Sequence, residues 1–257
     1  MKFVRIDPPG TFCMLEALRD VMKRCGGKSF LDVGCGSGSM SKVLLDAGLY
    51  GTGVDFSERA LKIASNNLKN YIEAGKYSIR QGDILEMPDD EIKVDVVLSY
   101  MVMEHIEDDR SFLRKLSRFI NPNGHIIIAV PGRMDRWSIE DETVGHYRRY
   151  ERHDLQQILE DTGFRTPSVW SVSVPVSNML FNVGTALLRR SSEVKKINLT
   201  QREQTEGSGV QDIPWKTTFP SFARLVLNRR ILYPLFVVQR LFYRTSLGLT
   251  LLAIAQK

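Results

Sequence analysis

The sequence predicts an α/β fold with a doubly wound, seven-stranded sheet that is mostly parallel and has an antiparallel final strand. Apolar runs of strand length alternate with helical patterns over residues 1–131, as in parallel sheets whose strands are joined by helices. Residues 94–99 are apolar enough for a strand buried on both faces. The 257 residues, 43% of them hydrophobic, suffice for a single domain over residues 1–257.

The first half of the chain alternates regularly between strands and helices. Apolar residues recur at helical spacing in residues 11–25, and Ser57 can cap a later helix. The predicted strands are residues 29–33, 52–55, 77–81 and 94–99, and the predicted helices are residues 11–25, 39–47, 58–73 and 109–119. Ligands of such folds bind beyond the carboxyl ends of the strands, so we expect the site at that edge.

The second half of the chain is less regular. Asn121–Gly124 is a turn signal before the next strand. The predicted elements are strands at residues 125–130, 168–174 and 248–255 and a helix at residues 152–161. Residues 133–150 lack core periodicity, and we interpret them as a substrate lid loop. Residues 175–246 hold two apolar helical segments around a polar loop, residues 191–215, and are interpreted as a helical insertion before the last strand.

The net charge of +5 is unevenly distributed. Residues 189–257 contain twelve Lys or Arg against four Asp or Glu. This excess indicates either a surface for an anionic partner or a solvated basic face.

Cysteine usage and hydropathy exclude several classes of protein. Cys13, Cys25 and Cys35 are too few and too irregularly spaced for a disulfide framework or a zinc site, so a reducing compartment is expected and no metal site is predicted. The first residues contain no long apolar run, and nowhere do 18 apolar residues follow one another. We therefore expect a cytoplasmic protein without a signal peptide or a membrane-spanning helix.

A glycine loop follows the first strand of the sheet. Asp32 is followed by glycines at positions 34, 36 and 38, and a helical pattern begins at once. Such a loop lets backbone approach a ligand closely, and the free N–H groups of the helix start point at the same place. Ser39 stands where a dinucleotide fingerprint would have its last glycine. The alternative is an ordinary strand–turn–helix corner without a ligand.

Polar residues end the following strands in order. Asp55 ends the second strand, Asp83 follows the third, and Ser99 ends the fourth. Together with the glycine loop, this order resembles the class I S-adenosylmethionine-dependent methyltransferases, over about residues 28–131.

The resemblance implies a Rossmann-like fold with S-adenosylmethionine as the cofactor. It implies that Asp55 binds the ribose hydroxyls, that Phe56 packs on the adenine, and that Asp83 and Ile84 read the adenine edge. Asp32 is predicted to accept hydrogen bonds from a cationic amine. The cofactor-binding residues that the resemblance implies are Asp32, Gly34, Cys35, Gly36, Gly38, Asp55, Phe56, Asp83, Ile84, Ser99 and Tyr100.

The sequence limits the classes of methyl acceptor without identifying the acceptor. Residues 99–101, Ser-Tyr-Met, replace the Asn-Pro-Pro-Tyr signature of enzymes that methylate adenine or amide nitrogens. No RNA-binding module is found either, so no nucleic-acid partner is expected. We expect methyl transfer to a hydroxyl or amine of a small acceptor, with a sugar- or lipid-linked molecule as one option. The competing interpretations are a non-catalytic cofactor-binding module and a peripheral membrane protein with the same fold.

Two histidines are the predicted catalytic residues. His105 follows the fourth strand, where an acceptor would lie and where a base could take its proton; the alternative is a helix cap. His146 belongs to a Gly-His-x-Arg-Arg-Tyr block that resembles methyltransferases associated with surface-polysaccharide and lipid-glycan pathways. Its predicted substrate-binding residues are Tyr147, Arg148, Arg149 and Tyr150. The alternative for this block is a salt-bridged entry to the helix that follows.

The insertion has a signal of its own. Residues 222–244 and 176–190 are apolar beyond a half-buried stripe, and arginines interrupt them. Apolar helices with Arg edges suit the interface of an anionic membrane. Packing on the sheet, or on a second copy in a homodimer, explains the same pattern.

Overall fold

The computed structural model describes residues 3–5, 9–88, 92–191, 194, 197–208, 218–225 and 227–257. Within these residues the strands are β1 (Phe3–Arg5), β2 (Ser29–Val33), β3 (Tyr50–Asp55), β4 (Tyr77–Gln81), β5 (Val94–Tyr100), β6 (Ile120–Pro131), β7 (Arg165–Val172), β8 (Thr218–Pro220) and β9 (Thr250–Gln256). The α-helices are α1 (Pro9–Met22), α2 (Ser39–Asp46), α3 (Glu58–Asn67), α4 (Lys69–Glu73), α5 (Asp109–Arg118), α6 (Ile139–Val144), α7 (Arg152–Asp161), α8 (Val176–Arg189), α9 (Gln201–Ser208) and α10 (Arg229–Gln239).

Seven strands form the central sheet in the order β4-β3-β2-β5-β6-β9-β7. Neighbouring strands from β4 to β6 are parallel, whereas β9 is antiparallel to both β6 and β7. The predicted fold class is therefore confirmed. The chain order reverses at β2, which lies beside β3 and β5, so a crevice is expected at the carboxyl ends of these strands.

The core lies on both faces of the sheet. Phe30 and Leu31 are adjacent in β2 and point to opposite faces, as residues of a strand must. Phe30 packs in a cluster with Leu44 of α2, and Leu31 packs in a second cluster with Phe112 of α5. All four side chains are buried, and burial of each contributes roughly 1.5–3 kcal/mol.

The helix predicted at residues 58–73 is two helices. The break falls at Leu68, whose backbone leaves the helical region while its side chain stays buried. The preceding residues, Ser65 to Asn67, are poor helix formers, which explains why α3 ends there.

The turn predicted at Asn121–Gly124 lies inside β6. Ile120 still pairs with Val94, and the regular ladder resumes where Val96 pairs with His125. The register shift between these pairs absorbs the turn residues.

The small antiparallel sheet of β1 and β8 was not expected from the sequence. Three residue pairs join it, from Phe3 with Pro220 to Arg5 with Thr218. Strands this short lack the length that a periodic pattern needs.

Between β7 and β9 the chain carries α8, α9, β8 and α10. Gln239 fixes the end of α10, because its buried amide donates to the Cys13 carbonyl and accepts from the Ser173 amide. Part of the polar loop predicted at residues 191–215 is α9, whose first turn is capped by Thr200 and Glu203; residues 209–217 lie outside the described residues. Among the described helices, none combines the length and apolar character needed to cross a membrane.

Candidate active site

A cleft of about 130 Å³ opens at the carboxyl ends of β2, β3, β4 and β5. It is lined by Val33, Gly34, Val54, Asp55, Phe56, Ser57, Gly82, Asp83, Ile84, Met101, Val102, His105, Ile106 and Thr205. Six of the predicted site residues are therefore brought to one cleft from four separate strand ends, namely Gly34, Asp55, Phe56, Asp83, Ile84 and His105.

The glycine loop bends away from the sheet through left-handed backbone. Gly34 has a φ of 69°, and a Cβ there would lie 2.4 Å from Val102 Cγ2. A side chain at this position would occupy the wall of the cleft. Gly38 has a φ of 78° and directly precedes α2. Strand β2 thus ends in backbone that a ligand can approach closely.

Asp55 holds this loop in place. Its Oδ2 accepts from the Gly36 amide at 2.9 Å, and its Oδ1 accepts from the Ser57 amide at 2.9 Å. Ser57 in turn caps α3, because its Oγ accepts from the Ala60 amide at 3.3 Å. The carboxylate predicted to bind the ribose therefore also ties the glycine loop to the start of α3.

Asp32 lies at the centre of a buried polar network. Ser41 Oγ donates to Asp32 Oδ2 and lies 2.8 Å from the Tyr77 hydroxyl. Asp32 Oδ1 has no hydrogen-bond partner among the described residues, although the side chain is buried. Burial, partly offset by the Ser41 hydrogen bond, raises the pKa of Asp32 to about 7. A cationic group beside Oδ1 would satisfy this oxygen and favour the ionised carboxylate.

The remaining predicted cofactor residues differ in exposure. Asp83 Oδ1 accepts from the Leu85 amide at 2.9 Å and so orders the turn beside the cleft. Ser99 is fully buried, and its hydroxyl has no partner among the described residues. Burial raises the pKa of Tyr100 to about 12. It also raises the pKa of the Cys35 thiol well above its ordinary value. The other predicted cofactor residues do not line this cleft: Asp32, Cys35, Gly36, Gly38, Ser99 and Tyr100.

The two predicted catalytic histidines meet. The ring centroids of His105 and His146 lie 4.7 Å apart in an edge-to-face arrangement, although 41 positions separate them in sequence. His105 Nδ1 lies 3.3 Å from Thr205 Oγ1 of α9. Burial, together with the nearby His146, lowers the pKa of His105 to about 3. His105 is therefore a neutral imidazole on the wall of the cleft.

His146 is held between two carboxylates. Its Nδ1 lies 2.9 Å from Asp141 Oδ1, and its Nε2 lies 3.8 Å from Glu104 Oε1. Neither oxygen of Glu104 has a hydrogen-bond partner among the described residues, and the side chain is fully buried. Burial raises the pKa of Glu104 to about 7, against the opposing effect of His146.

The arginines of the Gly-His-x-Arg-Arg-Tyr block form ion pairs within the chain. Arg149 makes a two-pronged ion pair with Asp141, at 2.8 and 2.9 Å. Arg148 contacts Asp109 at 2.9 Å, and the buried Tyr150 donates to the same carboxylate at 3.2 Å. These contacts agree with the salt-bridged interpretation of the block, and the acceptor-binding role of its side chains stays a prediction.

Tyr147 differs from its neighbours in the block. Its side chain is 41% exposed, while its amide donates to the Glu104 carbonyl at 2.8 Å. The segment is thus pinned beside the cleft with this ring available at the surface.

Sequence reasoning missed several residues of the site. Asp141 follows Ser138 at capping-box spacing, a signal that was available for α6. Glu104 precedes His105 and resembles any solvated acid in sequence. Met101 has a φ of 54°, a strained conformation for a residue with a side chain, where β5 enters the cleft. No local pattern indicates it.

The doubly wound sheet, the glycine loop and the acidic strand ends around one cleft define the Rossmann-like class of nucleotide-cofactor enzymes to which class I methyltransferases belong. A profile of a methyltransferase domain family matches residues 14–169, more than half of the chain. The chain belongs to this methyltransferase domain family. The predictions of a methyltransferase as the enzyme class and of S-adenosylmethionine as the cofactor are thereby confirmed.

Similar proteins agree with this assignment. A probable S-adenosylmethionine-dependent methyltransferase of Mycolicibacterium smegmatis is 26% identical over 151 residues, covering 58% of this chain and 56% of that protein. A ubiquinone biosynthesis O-methyltransferase of Azorhizobium caulinodans is 33% identical over 147 residues, covering 49% and 57%. The chain therefore spans little more than half the length of the curated relatives it matches.

The fold is also found among solved structures. The YcgJ protein of Bacillus subtilis superposes with a TM-score of 0.56 at 14% identity, covering 95% of this chain and 98% of that one. At this level of identity the likeness shows the shared fold.

Proposed function

We propose that this chain transfers the methyl group of S-adenosylmethionine to a hydroxyl or amine of a small acceptor. The observation that carries the proposal is the convergence of Gly34, Asp55, Asp83 and His105 on one cleft. The first three are the predicted cofactor side of that cleft, and His105 stands on the predicted acceptor side.

The chain's residues fit the cofactor. Gly34 presents bare backbone in the wall of the cleft, where a Cβ would overlap Val102 Cγ2 at 2.4 Å, and Asp32 Oδ1 is a buried oxygen without a partner among the described residues. Asp55 would hold the ribose, with Phe56 and Ile84 as apolar walls for the adenine. When bound, S-adenosylmethionine supplies a methyl group on a positively charged sulfur. The apolar part of the cleft wall, which includes Val33, Val54 and Ile106, would then limit the access of water to the reacting atoms.

The hydroxyl or amine of the acceptor loses a proton when it is methylated. A side chain of the protein must hold this hydroxyl or amine or accept its proton. The imidazoles of His105 and His146 are the groups placed to do so, because His105 lines the cleft and the two rings are in contact. Asp141 fixes the orientation of His146 through Nδ1. In this proposal the exposed Tyr147 contacts the acceptor, and Arg148, Arg149 and Tyr150 shape its binding surface.

The acceptor class is part of the proposal. We infer a sugar- or lipid-linked acceptor from the Gly-His-x-Arg-Arg-Tyr block, which resembles methyltransferases of surface-polysaccharide and lipid-glycan pathways. The relative named for ubiquinone biosynthesis supports methylation of a hydroxyl on a small molecule. No feature of the site supports a nucleic-acid substrate.

The direct test is the formation of S-adenosylhomocysteine. The purified chain is incubated with S-adenosylmethionine and with lipid and aqueous fractions of a cell extract, and the product is quantified by mass spectrometry. We expect turnover that depends on one fraction. Cofactor binding without turnover in any fraction would favour a non-catalytic binding module, and absence of binding would overturn the proposal.

A second candidate role is peripheral attachment to an anionic membrane through residues 175–246. Met179 of α8 and Leu241 after α10 are 76% and 79% exposed, and further apolar side chains of both helices are exposed. A groove of about 500 Å³ beside Leu241 is lined by Lys23, Arg24, Arg240 and Arg244 with a single acid, Asp20. Exposed apolar side chains next to cations are what an anionic lipid surface binds.

Flotation with vesicles tests this attachment. We expect the chain to float with vesicles that contain anionic lipid at low salt and to be released as the salt concentration rises. Binding that is indifferent to both would exclude this electrostatic attachment, and a concentration-dependent dimer in its place would assign the apolar faces to a second copy.

A further inference from the structure

Three side chains beside the cleft are arranged around a common point. Glu104, His105 and His146 each offer one atom capable of binding a metal, and these atoms lie within 4.8 Å of one another. Ligands of a divalent ion with bonds of about 2.0–2.2 Å must converge in this way. Two of the three residues are adjacent in a 3₁₀ turn after β5, and His146 follows α6.

Glu104 has no other evident role. Its carboxylate is fully buried, accepts no hydrogen bond from the described residues and has His146 Nε2 at 3.8 Å. A buried carboxylate without hydrogen bonds is costly, and native proteins retain one where a cation or a reaction needs it.

The surroundings of both imidazoles suit ligands. Metal-bound histidines donate their second nitrogen to a carboxylate or a backbone carbonyl, which fixes the tautomer. His146 has Asp141 on Nδ1, which leaves Nε2 toward Glu104. His105 has Thr205 Oγ1 at 3.3 Å from its Nδ1, a contact at the weak end of hydrogen-bond lengths.

We propose that Glu104, His105 and His146 form a binding site for one divalent transition-metal ion, with Zn²⁺ as the probe. Two imidazoles and one carboxylate are the donor set of three-ligand sites that leave a position open. His105 also lines the cleft, so that the open position faces the acceptor side. With the ion bound, both imidazoles would act as ligands, so an acceptor hydroxyl at the open position would become more acidic and release its proton to solvent instead of to a histidine. This chemical role rests on the methyl transfer proposed above, whereas the binding of the ion does not.

Calorimetry on the full chain, freed of metal with a chelator, tests the site. We expect one Zn²⁺ per chain, weaker binding by at least tenfold in Glu104→Gln and His146→Asn, and a loss of ten- to a hundredfold in Asp141→Asn, which removes the charge that orients His146. His153→Ala removes an exposed histidine and is the matched control, with unchanged affinity. Equal affinity in the native chain and in both ligand variants would overturn the site.

Two further measurements keep the test independent of folding and of the proposed activity. Zn²⁺ should raise the melting temperature of the native chain and of His153→Ala, and should raise that of Glu104→Gln by less, because an ion that binds only the folded state stabilises it in proportion to its affinity. S-adenosylmethionine affinity should be unchanged in Glu104→Gln. A chain that binds Zn²⁺ but not the cofactor would leave the metal site standing and overturn the proposed function.

Discussion

The region around the cleft and the helical insertion differ in which side chains they bury. Around the cleft, Asp32, Asp55 and Asp141 are buried, and each accepts at least one hydrogen bond from the same chain. In the insertion, large apolar side chains such as Met179 and Leu241 face outward. Large apolar side chains that are exposed on neighbouring helices favour a binding role. A buried polar network favours a fixed geometry.

The difference leads to a rule about what substitutions should do. Changes to the buried carboxylates around the cleft remove an interaction that other buried groups depend on, so they should lower the free energy of unfolding. Changes on the exposed faces of the insertion should leave the free energy of unfolding nearly unchanged and alter only association. The following variants test this contrast, together with one polar network at the opposite end of the strands, in decreasing order of expected effect.

Asp141→Ala should have the largest effect on stability. It leaves Arg149, which is only 7% exposed, without its ionic partner and removes the anchor of His146. Breaking a buried pair from one side costs about 3–5 kcal/mol. Chemical denaturation measures the loss, and Glu73→Ala, in the exposed pair with Lys69, should cost less than about 0.5 kcal/mol. Equal losses in the two variants would contradict the contrast.

The same residues show how much of the site was predictable. The glycine loop and Asp55 were found in the sequence because their spacing is local to one strand–helix–strand unit, and the alternation of strands and helices predicted the doubly wound sheet. The contact between Glu104 and His146 could not be found in the sequence, because the two residues are 42 positions apart. They meet only because residues 133–150 fold back beside the end of β5. The arginines of the Gly-His-x-Arg-Arg-Tyr block were recognised in the sequence as candidate binding residues. The sequence does not show whether Arg149 pairs with Asp141 or with a ligand.

Asp95→Ala should cause the second largest loss of stability. Its Oδ2 accepts from the Lys28 and Ser29 amides at 2.8 and 3.1 Å, and its Oδ1 accepts from Asn121 at 2.9 Å. These bonds clamp the starts of β2 and β5, and losing them should cost about 1–3 kcal/mol.

The effect of Asp95→Ala should depend on pH. The backbone N–H of Lys28, and then the Asn121 amide, lower the pKa of Asp95 to about 2 from its ordinary 3.8. A carboxyl whose folded-state pKa is depressed adds stability above the unfolded value, and this contribution is lost as the pH falls toward 2. Denaturation at pH 7 and pH 3 should therefore show a smaller difference between variant and native chain at pH 3. A constant difference would assign the loss to packing.

Gly34→Ala should separate binding from folding. A Cβ here meets Val102 Cγ2 at 2.4 Å in the wall of the cleft, at a φ that disfavours any side chain. Gly48→Ala is the matched control, because Gly48 has a φ of 95° but open space around its Cβ. Both should lose about 1–2 kcal/mol of stability from backbone strain. Only Gly34→Ala should lose S-adenosylmethionine affinity, by tenfold or more in calorimetry, and equal affinities would place the cofactor elsewhere.

The smallest effect on stability is expected from Met179→Ser combined with Leu241→Ser. Both side chains are more than three quarters exposed, so the free energy of unfolding should change by less than about 1 kcal/mol. Leu44→Ala, at a fully buried position of α2, should lose about 2–5 kcal/mol in the same denaturation experiment. Flotation of the double variant with anionic vesicles should nevertheless fall several-fold, because the apolar contribution to membrane binding is reduced at its two most exposed side chains. A double variant that unfolds as readily as Leu44→Ala would mean that these side chains are core residues of an assembled form, and the contrast between the two regions would then hold only for the isolated chain.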